Sequence, residues 1–289
     1  MSLEQMFPRM FDPDIEELLG PCPLTQERWS VGGQQVVLGD CLNELRVIAD
    51  AAIDVVVTSP PYNIGVNYRT YHDRRPPEDY LAWLADVGVE LARVLKPDGS
   101  LFLNVGSTSS DPWVATDVAN TFRDIFVLQN HITWVKSISI GDDTHGHFKP
   151  INTPRYLNQT HEVVFHFKKT GSVKIDRLAI GVPYKDKSNI ARRGHAHDKR
   201  CAGNTWFIPY KTVVSKGQKF HHPAGFPVEL PERCIELHGR SNAIVLDPFL
   251  GAGSTLVAAQ NLGCSGLGIE IDPDYAAAAV ERLKIRDRI

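Results

Sequence analysis

Two short runs constrain this chain more than anything else in it. Ile53 to Val57 (IDVVV) and Ser100 to Val105 (SLFLNV) are too uniformly apolar for a sheet with one face in water. They fit strands buried on both faces, which need helices above and below and so a parallel sheet in an α/β protein. The residues between them supply the crossover: Pro77 to Leu95 carries helical periodicity and is followed by the turn Lys96-Pro97-Asp98-Gly99. The alternation begins at Gln34 with a strand reaching Asp40. It continues through a helix near Trp113 to Phe126 and strands at His131 to Lys136 and His161 to Lys169. After an irregular stretch it returns as a helix over Pro227 to Leu237, a strand over Ala243 to Phe249 and a helix over Ser254 to Leu262. A strand over Gly266 to Asp272 and a last helix over Pro273 to Leu283 complete it.

These elements predict an α/β fold with an open, mostly parallel twisted sheet flanked by helices, carrying an irregular basic insert. Residues 1–33 read as an N-terminal arm with a short helix over Asp14 to Leu19. Residues 34–136 and 221–289 read as the two halves of the sheet domain. Residues 137–220 are rich in Gly, Pro, Asn, His and Lys and weakly periodic, apart from a core strand near 161–169. The formal charge of -3 hides an asymmetry: ten Lys and five Arg face five Asp and one Glu in 137–220, a net of +9 that leaves -12 elsewhere. A solvated basic face and a phosphate-binding surface would both produce that segregation.

With 43% hydrophobic and 22% charged residues, the chain belongs with globular rather than disordered or fibrous proteins. No apolar run nears the roughly 20 residues of a bilayer span, and the first residues lack a basic start with an apolar core. A cytoplasmic protein with no membrane partner is expected. Five scattered cysteines (Cys22, Cys41, Cys201, Cys234, Cys264) fit reduced thiols.

The chemistry-bearing segments lie at strand ends. Gly251 and Gly253 occupy a strand-to-helix turn, where a missing Cβ permits a sharp bend and close approach to a ligand. The helix that follows aims unpaired N–H groups at the turn, and Glu270, ending the next strand, is placed to accept from ribose hydroxyls. Such a turn also serves as plain packing geometry and occurs in dehydrogenases. Here no third glycine follows at the dinucleotide spacing, which disfavours a nicotinamide enzyme.

Thr58-Ser59-Pro60-Pro61-Tyr62 directly follows the first buried strand, at the end where open α/β sheets bind ligands. The prolines fix the backbone and remove two donors, so Ser59 Oγ and the Pro60 carbonyl suit both hydrogens of an exocyclic NH2, while Tyr62 offers a flat face to a base. Holding both N–H bonds on acceptors frees the nitrogen lone pair. Transfer of an activated methyl then needs alignment and electrostatics, with no metal. Taken alone, the segment reads more simply as a strand-terminating turn.

Together, Asp247 to Ser254 (DPFLGAGS) and Thr58 to Tyr62 (TSPPY) resemble the two signature motifs of the amino-methylating DNA methyltransferases. Gly39-Asp40, RVLKPDGSLFLNVG (93–106), ITWVK (132–136), His161-Glu162 with its apolar strand, HPAGFPVELPERCIELHG (222–239) and GIEIDPDYAAAAVERL (268–283) extend the likeness over about residues 34 to 285. Catalytic motif first, basic segment next and cofactor motif last is an order that resembles the β group of these enzymes.

The resemblance implies the class I S-adenosylmethionine-dependent methyltransferase fold in circularly permuted motif order. It implies S-adenosylmethionine as cofactor, double-stranded DNA as partner, and residues 137–220 as the target-recognition region. Asp247, Phe249, Gly251, Gly253 and Ser254 would form the cofactor pocket, Glu270 would hold the ribose, Asp40 would approach the adenine amino group and His222 would lie beside the cofactor. Ser59, Pro60, Pro61 and Tyr62 would hold a base flipped out of the duplex. Serine at the head of the tetrapeptide resembles enzymes acting on N4 of cytosine; aspartate is usual for N6 of adenine, the alternative. Phe226 departs from a pattern in which lysine often precedes the proline.

Arg155, Arg192, Arg193 and Arg200 are candidates for phosphates or guanine edges, and Asn152, Asn158 and Gln159 for adenine. A cognate restriction endonuclease and a second copy of the chain are further candidate partners. Two rivals are weaker. Cys22 after Pro21 lies in the arm, away from any core strand where a C5-cytosine nucleophile would stand. A zinc-binding module built on His195, His197 and Cys201 lacks a Cys-x-x-Cys pair and a fourth ligand.

Overall fold

Every residue of the strand Ile53–Thr58 is buried, with Val55 and Val57 entering one layer and Val56 the opposite one. The computed structural model describes residues 27–66, 69–109, 111–146, 153–171, 173–192, 197–209 and 225–287. The helix expected over Asp14 to Leu19, together with Cys22, Asn152, Arg193, His195 and His222, lies outside them.

In chain order the elements are Arg28–Val31 (β1), Gln34–Leu38 (β2), Cys41–Val47 (α1), Ile53–Thr58 (β3), Pro77–Val94 (α2), Leu95–Val105 (β4) and Val114–Phe122 (α3). Val127–Val135 (β5), Ile138–Ile140 (β6), Asp143–His145 (β7), His161–Lys168 (β8), Ser188–Arg192 (α4) and Thr205–Phe207 (β9) follow. Glu229–His238 (α5), Ile244–Asp247 (β10), Ser254–Asn261 (α6), Ser265–Glu270 (β11) and Pro273–Asp287 (α7) end the series.

Nine strands form one sheet in the order β1-β2-β11-β10-β3-β4-β8-β5-β9, and β6 pairs with β7 apart from it. The run from β2 to β4 is parallel throughout, whereas β8 is antiparallel to both β4 and β5. The C-terminal strands β10 and β11 therefore sit between β2 and β3, the permuted order expected from the motifs. Val56 shares a core with Leu45, Leu84, Leu91 and Phe122 of α1 to α3; Val55 and Val57 share the other with Leu230, Cys234 and Ala258 of α5 and α6.

Helix α2 shows how the chain encodes these layers. Pro77 opens it, Glu78 and Asp79 occupy its positive end, and Tyr80, Leu84, Val87, Leu91 and Val94 bury one stripe at alternating spacings of four and three. Arg93 in the last turn donates to the Leu45 and Ile48 carbonyls at 2.7 Å each, satisfying the end of α1.

Three features differ from expectation. Ile53 pairs with Leu95 and Val55 with Ser100, so the expected turn Lys96–Gly99 is a bulge inside β4. Residues 28–31, assigned to the arm, pair with β2 as the edge strand of the sheet. Besides the expected core strand β8, the basic segment contributes a second sheet strand, β9, and the separate hairpin β6–β7.

Candidate active site

Because β2, β11, β10, β3 and β4 all run one way, their carboxyl ends share one edge of the sheet. The antiparallel β8 presents its first residues there: Val163 pairs with Val105 and Val164 with Asn104. Strand β5 runs back parallel to β4 and ends beside His161, which brings Lys136 to the same edge. Leu38, Thr58, Val105, Val135, Asp247 and Glu270 thus end strands around a single cavity of about 460 Å³.

Ser59, Pro60, Pro61, Tyr62, Asp40, Phe249, Gly251, Ser254 and Glu270 all line that cavity. Tyr80 Oη donates to the Pro61 carbonyl at 2.8 Å and so anchors the proline turn to α2. Ser59 Oγ lies 2.7 Å from Tyr62 Oη. Asn104 Nδ2 donates to Tyr62 Oη at 2.8 Å and to Glu162 Oε2 at 2.7 Å, and it reaches Ser59 Oγ at 3.4 Å. Lys136 Nζ donates to Glu162 Oε1 at 2.7 Å. Asn104 Oδ1 is buried in the cavity wall and accepts no hydrogen bond among the described residues.

Around the glycine turn, Gly251 N donates to Glu270 Oε2 at 2.7 Å and Asp272 N to Oε1 at 2.9 Å. Burial nonetheless pushes the Glu270 carboxyl up to about 7; those two backbone donors oppose the shift, and the charges of Asp247 and Asp272 add to it. Asp40 caps α1, its Oδ1 accepting from Leu42 N and Asn43 N at 3.1 Å each.

Asp247 and Gly253 sit behind the cavity wall. The Asp247 carboxylate is taken up by Thr58 Oγ1, Phe249 N and Thr255 Oγ1, and burial pushes it up to about 6. Gly253 (φ +81°) faces α7: a Cβ there would stand 2.9 Å from Ala279 Cβ and 3.2 Å from its Cα, so close helix packing accounts for this glycine. Arg155, Arg192 and Arg200 are exposed and none lines the cavity; the Arg155 guanidinium lies 5.0 Å from the ring centroid of Tyr156. Lys168, counted in the basic segment, is fully buried and donates to Ser100 Oγ at 2.6 Å. Phe226 lines the cavity and its carbonyl accepts from Ser254 Oγ at 2.8 Å. Among the described residues no three His, Cys, Asp or Glu side chains gather as a metal site.

Residues to which sequence reading assigned no role complete the wall. Asn104, Lys136 and Glu162 lie beside the proline turn. An aromatic group stands near Phe249: Trp83 meets it edge-on at 5.6 Å, and Arg75 lies 4.9 Å from Tyr71 and 5.2 Å from Trp83. Asp73, itself buried, ties this loop by accepting from Asn63 N and Val66 N at 2.8 Å each. Thr70 Oγ1 reaches Asp272 at 3.4 Å, and Arg69 pairs with Asp274, linking the loop to the start of α7.

A mostly parallel sheet with a carboxylate-tipped strand and glycine turn opening on the same cavity as a hydroxyl-bearing proline turn is the architecture of a class I S-adenosylmethionine-dependent methyltransferase. A family model described as DNA methylase, covering N6 and N4 enzymes, matches residues 53–281, and the chain belongs to that family. It is 32% identical over 258 residues to the type II methyltransferase M.BglII of Bacillus subtilis, covering 85% of this chain and 67% of that protein. It is 26% identical over 265 residues to the DNA adenine methyltransferase YhdJ of Escherichia coli K12, covering 89% and 85%. Among solved structures, the cytosine-N4-specific PvuII DNA methyltransferase superposes with a TM-score of 0.65 at 21% identity, covering 90% and 92% of the two chains. TTHA0409 of Thermus thermophilus, solved in complex with S-adenosyl-L-methionine, superposes at 0.58 with 26% identity, covering 86% and 92%.

Proposed function

We propose that this DNA methyltransferase acts on the N4 amino group of cytosine in duplex DNA, as a β-group enzyme. The observation that carries the reading is the shared cavity: Ser59, Pro60 and Tyr62 open on the same space as Gly251 and Glu270. A few kcal/mol of unstacking and unpairing brings the base out of the duplex, and exposed Arg155, Arg192 and Arg200 in the target-recognition region offset that cost on phosphates.

Once flipped, the base stacks against Tyr62 while Ser59 Oγ and the Pro60 carbonyl take its two amino hydrogens. S-adenosylmethionine, when bound, supplies a sulfonium methyl whose C–S bond breaks as the nitrogen lone pair forms the new N–C bond. Glu270 holds the ribose, and the Phe249 to Ala252 backbone and Ser254 shape the rest of the cofactor pocket. Two features favour cytosine. Ser59 heads the proline turn with a neutral hydroxyl, the form that the resemblance links to N4 of cytosine. Lys136 places an ammonium in the wall, suited to O2 of cytosine, an acceptor that the same edge of adenine lacks.

N6 of adenine is the second reading, favoured by the likeness to YhdJ. Incubation with labelled cofactor and mixed-sequence duplex, followed by digestion to nucleosides, separates the two: N4-methylcytosine is expected, and N6-methyladenine replaces it if the second reading holds. Ser59→Ala should lose methyl transfer while calorimetric cofactor binding is retained; equal loss of both would make the turn a structural element.

A further inference from the structure

Glu162 holds neither base nor cofactor in the reading above, yet three donors converge on it. Asn104 Nδ2 and Tyr62 Oη donate to Oε2 at 2.7 and 3.2 Å, and Lys136 Nζ donates to Oε1 at 2.7 Å. An ionised carboxylate only accepts, which fixes the direction of the hydroxyls next to it. With the Tyr62 proton on the Glu162 side, the 2.7 Å contact between Tyr62 and Ser59 is filled by the Ser59 proton. Ser59 Oγ then turns only lone pairs toward the cavity, the state required to accept from an amino N–H.

The geometry points to an ordered proton path, Ser59 Oγ to Tyr62 Oη to Glu162 Oε2. It sets Ser59 as an acceptor before methyl transfer and carries the surplus proton away afterwards. The inference rests on the amino-group reading above. Once alkylated, the nitrogen carries one proton too many. Its N–H bond breaks as an O–H bond forms on Ser59; the former Ser59 proton moves to Tyr62 and the former Tyr62 proton to Glu162. One proton in total passes from nitrogen to carboxylate, with no oxidation or reduction. The Glu162 side chain is 16% exposed, so water can take the proton, and the ion pair with Lys136 favours return to the carboxylate. Glu162 is a positioning residue and terminal proton acceptor that acts on the base through Tyr62 and Ser59.

The test follows single-turnover methyl transfer to duplex DNA at saturating cofactor, with cofactor Kd from calorimetry and duplex Kd from anisotropy. Glu162→Gln should slow transfer about 100-fold, because an amide N–H facing Tyr62 reverses the chain and makes Ser59 a donor. Both dissociation constants should stay within about twofold. Tyr62→Phe keeps the ring and the Lys136–Glu162 pair; it should show the same loss, and the double variant should be no slower than either single one. Transfer by Glu162→Gln or by Tyr62→Phe at the wild-type rate, or losses that multiply in the double variant, would overturn the path. Should Glu162→Gln fail to bind cofactor, the transfer rate of Tyr62→Phe decides alone. Nucleosides from the wild-type reaction are read in parallel. Absence of a methylated amino base strikes the functional reading, whereas methylation with unaffected variants strikes only the proton path.

Discussion

The Thr58 hydroxyl donates to the Asp247 carboxylate across 2.7 Å, joining residues 189 positions apart in the chain. Thr58 ends β3 just before Ser59, and Asp247 ends β10 just before the turn to Gly251, so this bond sets the spacing between the two turns that face the cavity. Thr255 Oγ1 holds the other carboxylate oxygen at 2.6 Å, and Phe249 N adds a 3.1 Å bond to the first. Thr58→Val leaves that first oxygen, fully buried, with a single backbone donor. The loss should be about 1–3 kcal/mol in urea unfolding, with single-turnover transfer slowed about tenfold or more as the turns lose register. An unchanged urea midpoint would show the bond to be redundant.

Cofactor affinity should fall on acidification. Burial pushes Glu270 up to about 7, and in the proposed reading only its ionised form accepts both ribose hydroxyls. Below about pH 7 the free protein carries this group protonated, so Kd for the cofactor should rise roughly tenfold for each further unit of pH. The fold responds with the opposite sign. The folded pKa lies above the ordinary value of 4.5, so the buried charge costs stability above pH 7 and that cost is relieved as pH falls toward 4.5. Calorimetry at several pH values checks the binding arm; Glu270→Gln should bind weakly at every pH, and a slope surviving in that variant would assign the titration to another group.

Periodicity made the scaffold legible, because long elements such as α2 repeat their apolar residues often enough to be read. The paired motifs likewise located both turns of the cavity. Asn104, Lys136 and Glu162 escaped because each is a lone polar residue at the end of an apolar run, and the run does not reveal strand direction. Glu162 faces the cavity only because β8 is antiparallel to β4, which puts its first residues where β4 ends. A polar residue beside the end of an apolar strand was the available signal. Charge counting misled in one place: Lys168 enters the sum for a basic surface, yet it lies in the core. Helix α1, with seven residues, is too short for periodicity to mark.

That buried lysine belongs to a cluster with a pH signature of its own. Lys168 Nζ and His238 Nδ1 lie 2.6 and 2.8 Å from Ser100 Oγ, and His166 stacks on Phe102 at 4.3 Å. Burial drives His166 down to about 3 and His238 to about 4, with the Lys168 charge adding to both, and burial drives Lys168 down to about 8. The unfolded chain protonates its histidines near 6.5, so the contribution of these two histidines should destabilise the fold increasingly as pH drops from about 7 toward 4. Lys168 acts in another window: its buried charge costs stability below about pH 8, and that cost lifts between 8 and 10.5. Glu270 and Asp247 oppose the histidines on the acid side, so thermal midpoints of wild type and variants read the cluster by difference. His166→Gln should reduce the first slope and Lys168→Met the second, and identical profiles for the wild type and both variants would refute the assignment.

The two glycines of the cofactor turn should separate on mutation, although they look alike in sequence. Gly253→Ala adds a Cβ 2.9 Å from Ala279 Cβ at a residue whose φ is +81°. Helix α7 must shift to admit it, so unfolding should become easier by about 2 kcal/mol or more. Gly251 also has positive φ (+54°), but it lies on the cavity wall with its N–H bonded to Glu270. Gly251→Ala should cost about 1–2 kcal/mol of backbone strain and, in the proposed reading of the cavity, chiefly weaken cofactor binding. Urea unfolding paired with calorimetry reads both effects on each variant. A Gly253→Ala protein of wild-type stability but weak cofactor binding would place the ligand against Gly253, contrary to the packing of that residue on α7.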